Sequence, residues 1–363
     1  MKYVDEFRDG YLIDKLAAEI RKTVESDRAY KFMEVCGTHT MNIFRFGLKD
    51  ILPENIRLIS GPGCPVCVTP NEFIDKAIWL ANQDGVIIAT FGDMFKVPGS
   101  RSSLEKEKAR GAQIKMVYSS IDALSLAKNN RDKEVVFLGI GFETTAPTVA
   151  QSVLAAKKEK IKNYSVLCGH KTMPEAMKLL AEDKLVNIGG FLLPGHVSAI
   201  IGSKPYEFLA KRFGKRCVIA GFEPVDILQA LLMLIKQKKP QVDIQYTRVI
   251  DRSGNRLARK TIEKVFEKTG SIWRGIGAIE DSGLIFKSEF SEFDAESKFN
   301  PRIELPRKDN GCFCGQILKG LKTPLDCRLF GRACKPENPV GACMVSSEGT
   351  CAAYYKYRIR RNG

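Results

Sequence analysis

No apolar run in this chain of 363 residues is long enough to span a membrane. The longest, residues 227–235, reads as a buried helix. Met1 to Glu6 carry charge where a secretory signal would be apolar, which predicts a cytoplasmic protein. Basic residues outnumber acids to give a net charge of +15, yet no basic stripe interleaved with aromatics is present. Lysines and arginines stand beside acids instead, as in Leu104-Glu105-Lys106-Glu107-Lys108. That pattern predicts a solvated, ion-paired surface with neither a membrane nor a nucleic acid as partner; attraction to an acidic protein is the other use of the charge. Histidine is nearly absent: His39, His170 and His196 are the only three.

Cysteine is plentiful. Eleven cysteines in a cytoplasmic chain argue against a disulfide framework and for metal, cluster or thiol chemistry. Cys36, Cys64 and Cys67 lie early, Cys168 and Cys217 stand alone in the middle, and six follow position 311.

An apolar content of 44% supports buried cores. Along the chain, a short apolar strand repeatedly runs into a Gly- or Pro-rich loop and then a helix. Strands are predicted at 32–35, 56–59, 86–90, 135–138, 165–167, 191–193 and 218–220. This alternation predicts an α/β protein with parallel sheets covered by helices on both faces, as two Rossmann-like domains facing a cleft. A break at Lys128 to Asp132 separates residues 29–128, which hold Cys36 and the Cys64/Cys67 loop, from residues 129–243. Residues 244–363 read as a smaller α+β domain, with the helix predicted over 1–28 packed on it. Within it a strand is expected at 244–250, a turn at 251–254 and a charged helix at 260–268. Asn71 is the expected cap of the helix that follows the Cys64/Cys67 loop.

The loop Gly61-Pro62-Gly63-Cys64-Pro65-Val66-Cys67 holds two thiols at C-x-x-C spacing, between strand and helix, where sites of α/β proteins gather. Cys36-Gly37-Thr38-His39-Thr40 puts a thiol and an imidazole on another such loop; nucleophile, redox thiol, metal ligand and buried structural cysteine are all open. All three histidines lie in Gly-containing loops after strands, and His170 with Cys168 reads as local packing. Gly139-Ile140-Gly141 lacks the third glycine of a dinucleotide fingerprint. Glu143, Thr144 and Thr145 can bind a polar group or cap a helix, and Glu223 faces the same choice. Cys217 reads as an apolar filler.

The tail cysteines, Cys312, Cys314, Cys327, Cys334, Cys343 and Cys351, have no histidine among them, which favours all-thiolate ligation. Zinc prefers two close C-x-x-C pairs, and these are missing. An iron–sulfur cluster takes four thiolates at irregular spacing and leaves a spare pair for a redox disulfide. Structural zinc and unligated thiols are the alternatives.

Taken together, the Cys36 and Cys64/Cys67 loops, Gly141-Phe142-Glu143-Thr144-Thr145-Ala146-Pro147, Pro194-Gly195-His196-Val197-Ser198 and the tail from Pro339 to Gly349 resemble the HypD-type hydrogenase maturation proteins over essentially the whole chain. The resemblance implies a scaffold on which the iron of the nickel–iron hydrogenase centre acquires cyanide and carbon monoxide, as an Fe(CN)2CO unit. It implies a small HypC-type hydrogenase chaperone that shares the iron, and a HypE-type partner that delivers cyanide as a thiocyanate. It implies a 4Fe-4S cluster on Cys312, Cys327, Cys334 and Cys351, with Cys314 and Cys343 as a redox pair. Cys36 would hold the mononuclear iron, with Cys64 and Cys67 as redox thiols or further ligands. His39 or His196 would serve as proton or hydrogen-bond donors, and Glu143 and Thr144 would line the same cleft. A cluster-dependent thiol–disulfide reductase acting on a protein substrate is the first alternative function; a zinc-stabilised nucleic-acid-binding protein is the second.

Overall fold

A computed structural model describes residues 2, 4–304 and 311–358. Among the described residues, eleven strands form three sheets. They are β1 (Tyr30–Glu34), β2 (Ile56–Ser60), β3 (Val86–Thr90), β4 (Ile114–Met116), β5 (Glu134–Gly139), β6 (Tyr164–Cys168), β7 (Gly190–Pro194), β8 (Arg216–Ala220), β9 (Val242–Ile244), β10 (Phe266–Trp273) and β11 (Gly277–Phe286). The first sheet is parallel, in the order β2-β1-β7-β8-β9, and the second is parallel, in the order β4-β3-β5-β6. β10 and β11 form an antiparallel hairpin. The expected α/β class, with two Rossmann-like sheets and a smaller α+β part, is what the chain adopts.

Side-chain alternation explains why the first sheet is covered on both faces. Phe32, Leu192 and Val218 join one apolar cluster with Ile227 and Leu231. Their neighbours Met33, Phe191, Leu193, Cys217 and Ile219 join the other. Successive strand residues point to opposite faces, so the central residues of these strands are apolar on both. In the second sheet Ile87, Ala89, Val135, Phe137 and Val166 pack with Ala146, Val149 and Val153 of the helix Ala146–Lys158. The hairpin adds Phe266, Leu284 and Phe286 to that same cluster.

Sheet membership departs from the order of the chain. The break expected at 128–132 lies inside the second sheet, where β3 and β5 on either side of it are hydrogen-bonded neighbours. β1 pairs with β7 across the whole of the second sheet's sequence. The chain leaves the first sheet after β2 and returns to it at β7.

Other elements shift for local reasons. The N-terminal helix spans Gly10–Thr23, where the Asp9 side chain accepts from Leu12 N. Through Ile20 it packs on the helix Pro224–Lys236 of the first sheet. The strand expected over 244–250 ends at Ile244, because Val249 N and Ile250 N turn back to the Tyr246 carbonyl. The charged helix starts early, at Arg256, since Asn255 caps it through Ala258 N at 2.9 Å, and it gives way to β10 at Phe266. Asn71 lies in the first turn of its helix, Asn71–Ala81, with Pro70 at the cap position. Thr145 occupies the cap position of the helix Ala146–Lys158 but makes no side-chain capping bond. Among the described residues no helix is long and apolar enough to cross a membrane.

Candidate functional site

The motif loops follow the carboxyl ends of strands, the edge where open α/β sheets place their ligands. Cys36 follows β1 and stands at the N-cap of the helix Gly37–Arg45. The C-x-x-C loop follows β2, with Cys64 at the N-cap of the short helix Pro65–Val68. The two loops touch through backbone: Gly37 N donates to Gly63 O at 3.1 Å. A Cβ on Gly63 would sit 2.3 Å from Cys36 N, so only glycine permits this approach.

All three thiols are buried, with Cys67 fully enclosed. Burial, with the nearby Glu348 carboxyl second, pushes the Cys36 thiol up to about 12. Cys64 Sγ accepts from Cys67 N at 3.2 Å. Burial, followed by contact with Cys343 and Cys64, holds Cys67 well above the ordinary thiol value. Cys67 thus faces the C-terminal tail.

In that tail the sulfurs of Cys314 and Cys343 are 2.8 Å apart. Hydrogen bonds from Cys314 and Cys67 pull the Cys343 thiol down. Cys314 in turn contacts Cys312. Cys312, Cys327, Cys334 and Cys351 line one small closed pocket together with Cys343, Ile317, Leu329, Phe330 and Met344. Burial raises Cys351 well above the ordinary value, and the neighbouring sulfurs Cys314, Cys312, Cys334 and Cys327 add to it. Four ionisable thiols crowded in an apolar pocket repel one another once ionised, and bound cationic iron would relieve that repulsion. Among the described residues no three His, Cys, Asp or Glu side chains are placed to hold a single metal ion. Sulfurs that ring a pocket suit a cluster, in which each thiolate meets a different iron. The donor set therefore fits the iron–sulfur group that the sequence resemblance implies.

Two of the three histidines converge. Phe222, in the loop after β8, lies between them, stacked on His39 at 4.8 Å and on His196 at 3.9 Å between centroids. His39 Nε2 is 2.8 Å from Gly221 O, and burial pushes its pKa down to about 4. His196 is exposed at the surface. His170 lies apart, against Phe266 of the hairpin, with Nδ1 3.7 Å from Cys168 Sγ.

Glu143 follows β5 and accepts from Met173 N at 2.9 Å, while its Oε2 is buried with no hydrogen-bond partner among the described residues. Burial pushes its pKa up to about 7. It lines a cavity of about 500 Å³ with Thr172, Ile201, Phe266 and Lys268, in which no cysteine takes part. Thr144 is half-buried just before the helix Ala146–Lys158. Tyr206 is buried and close enough to feel the charge of both Glu143 and Cys36.

Sequence reasoning passed over Tyr206, Phe222 and Glu348. Thr38 Oγ1 donates to Glu348 Oε1 at 2.6 Å, and Ser346 Oγ donates to Asp93 Oδ2 at 2.9 Å. The stretch Ala342–Glu348 thereby meets the loops after β1, β2 and β3. Gly37 carries the signal: a Cβ there would come 2.4 Å from Glu348 Cβ.

These features define a cysteine-rich α/β protein with a thiol array shared between its sheets and its tail. The family model for HypD, described as "Hydrogenase formation hypA family", matches residues 11–358. The chain is 49% identical to the hydrogenase maturation factor HypD2 of Bradyrhizobium diazoefficiens, over 98% of this chain and 97% of that protein. It is 48% identical to the HypD of Azotobacter vinelandii, over 99% and 98%, and 44% identical to that of Escherichia coli, over 99% and 98%. The chain belongs to the HypD family of hydrogenase maturation factors. That membership disfavours a general thiol–disulfide reductase.

Proposed function

We propose that this chain is the scaffold on which the Fe(CN)2CO unit of nickel–iron hydrogenases is assembled, in the cytoplasm. Its partners are a small HypC-type chaperone and a HypE-type protein that presents cyanide as a thiocyanate. One observation supports this most: Cys64, Cys67, Cys343, Cys314 and Cys312 stand in an unbroken line of contacts that ends at the pocket of Cys327, Cys334 and Cys351.

Cys36 takes the iron as cargo. Its thiol keeps its proton at neutral pH, so iron binding releases that proton. The Cys64/Cys67 dithiol supplies the two electrons for cyanide release. One thiolate attacks the thiocyanate sulfur, cyanide leaves, and the second closes a Cys64/Cys67 disulfide while the partner's thiolate departs. Cys343 faces Cys67 and reopens that disulfide, and Cys314 then closes on Cys343. Cys312, Cys327, Cys334 and Cys351 would hold a four-iron cluster, which would supply the one-electron chemistry that renews the pair. His39 is neutral at pH 7 and orients the site, and exposed His196 donates to the cyanide nitrogen. Glu143 and Thr144 take no direct part in these steps, since the cavity that Glu143 lines holds no cysteine.

The test is vibrational spectroscopy of the protein purified anaerobically with its partners, where sharp cyanide and carbonyl stretches are expected. Cys36→Ala should abolish iron loading and spare the visible absorbance of the cluster. If both vanish together, the separation into two sites is wrong.

A further inference from the structure

We infer that small carboxylate-bearing thiols enter the relay from outside at Cys314, through a groove between the β10–β11 turn and the start of the helix Asn71–Ala81. The inference rests on the relay proposed above and adds its point of entry and the class of reductant.

The groove has a volume of about 770 Å³, and its walls include Asn71, Arg274, Gly275, Cys312 and Cys314. Of the redox pair, only Cys314 lines it. Cys343 lies behind, 1% exposed, turned towards Cys67 and the closed pocket. The turn presses directly on the helix that carries Cys314: a Cβ on Gly275, at φ +71°, would come 2.3 Å from Gly315 Cα. An incoming thiol therefore reaches one sulfur of the pair, and it is the one farther from Cys67.

Arg274 gives the groove a preference for charge. Its backbone N donates to Val68 O at 2.8 Å and its Nε to Thr69 O at 2.6 Å, which fixes the guanidinium beside the Cys64/Cys67 helix. Its Nη2 is buried and has no hydrogen-bond partner among the described residues. A fixed guanidinium N–H without an acceptor fits a carboxylate. The first turn of the helix Asn71–Ala81, which no side chain caps, opens on the same groove and adds backbone donors. Glu72, on that wall, is paired with Lys76 at 3.0 Å.

The exchange balances. A thiolate attacks Cys314 of the Cys314/Cys343 disulfide, which yields a mixed disulfide on Cys314 and a Cys343 thiolate. A second thiolate attacks the external sulfur, releases the oxidised reductant as its disulfide and frees Cys314. Cys343 then attacks Cys67 of the Cys64/Cys67 disulfide and releases Cys64. Cys314 closes on Cys343 and releases Cys67. Two external thiols have been oxidised and one internal disulfide reduced.

The test uses anaerobic holoprotein with both pairs oxidised. Thioglycolate, mercaptoethanol and cysteamine, close in size and carrying negative, no and positive charge, are offered separately, with dithionite as a thiol-free reductant. Mass spectrometry after alkylation locates adducts and free thiols. With rates expressed per thiolate, here and below, thioglycolate should form its adduct on Cys314 and open the Cys64/Cys67 pair about tenfold faster than cysteamine, the scale of one hydrogen bond to a charged group. Arg274→Gln should erase that preference, bringing the thioglycolate rate down to about that of mercaptoethanol in the same variant, while Arg274→Lys should retain most of it. A first adduct on Cys343 or Cys64, or equal rates for all three thiols, overturns the proposal. If dithionite opens the Cys64/Cys67 pair and no thiol does, the port fails and the relay stands. If neither opens it, the relay fails as well.

Discussion

The hydroxyl of Thr38 donates to Oε1 of Glu348 at 2.6 Å and so ties the loop after β1 to the C-terminal tail. The carboxyl is half-buried and close enough to Cys36 to oppose its ionisation. Burial, offset in part by the Thr38 bond, raises the Glu348 pKa above the ordinary carboxyl value. Removing the carboxyl should therefore do two things. Glu348→Ala should cost about 1 kcal/mol of stability for the lost hydrogen bond. It should also lower the pKa of Cys36, visible as faster alkylation of that thiol at a fixed alkaline pH. Slower or unchanged alkylation would show that the carboxyl does not act on Cys36.

Contact between the Cys36 and Cys64 loops requires glycine at position 63. Gly63→Ala would drive a methyl to 2.3 Å from Cys36 N and 2.4 Å from Cys36 Cα, both rigid backbone atoms. We expect a loss of roughly 2 kcal/mol or more by thermal or denaturant unfolding. Gly10→Ala is the control, since a Cβ there meets nothing within 4 Å. It should be neutral or slightly stabilising. Equal effects from the two would remove the steric account of the loop contact.

The strands and loops were legible in the sequence because most strands of the two parallel sheets, the short β4 and β9 apart, hold three or more apolar residues and run into a loop containing Gly or Pro. Val86–Thr90 has the expected bounds. Which sheet a strand joins was not legible, since Met33 and Val136 are equally apolar and equally buried. The hairpin was hidden by the charges of Glu267 and Lys268, which continue the polar pattern of the preceding helix while Phe266 and Trp273 turn to the core. β4 has only three residues, two of them exposed, too few to show a period. At the site, the residue types were legible but their meetings were not. Nothing local at Cys67 signals Cys343, and nothing at Thr38 signals Glu348.

Glu143 should make stability depend on pH with an unusual sign. Burial raises its pKa from the ordinary 4.5 to about 7 in the folded protein. Between these values the folded state binds the proton that the unfolded state has released, so stability falls as pH rises. The contribution is full below pH 4.5 and gone above about 7, and its ceiling is roughly 3 kcal/mol. Glu143→Gln keeps the shape and removes the titration. Denaturant midpoints should therefore decline between about pH 5 and 7 in the parent relative to the variant. A parent that gains stability over the variant in that window would contradict the buried carboxyl.

The Phe222 ring keeps His39 from water and from its proton. His39 is buried, one nitrogen faces Gly221 O, and Nδ1 has no hydrogen-bond partner among the described residues. Its pKa, lowered from 6.5 to about 4 by burial, means that the neutral form is the one the fold accommodates. The sign is opposite to that of Glu143. Between these values the unfolded state binds the extra proton, so His39 contributes stability above pH 6.5 that is lost as pH falls towards 4. Phe222→Ala should open the site to water and move the His39 pKa back towards its ordinary value. It should cost about 2 kcal/mol, below the usual range for a buried phenylalanine, because the ring is only half-buried. Nuclear magnetic resonance titration of the three histidines would read this directly. In the parent, His39 and His170 should both remain neutral at about pH 5, since burial pushes His170 to about 3. In the variant His39, and not His170, should begin to protonate there. A shift at His170 as well would mean that the substitution loosens the fold as a whole and that Phe222 does not specifically guard the imidazole beside Cys36.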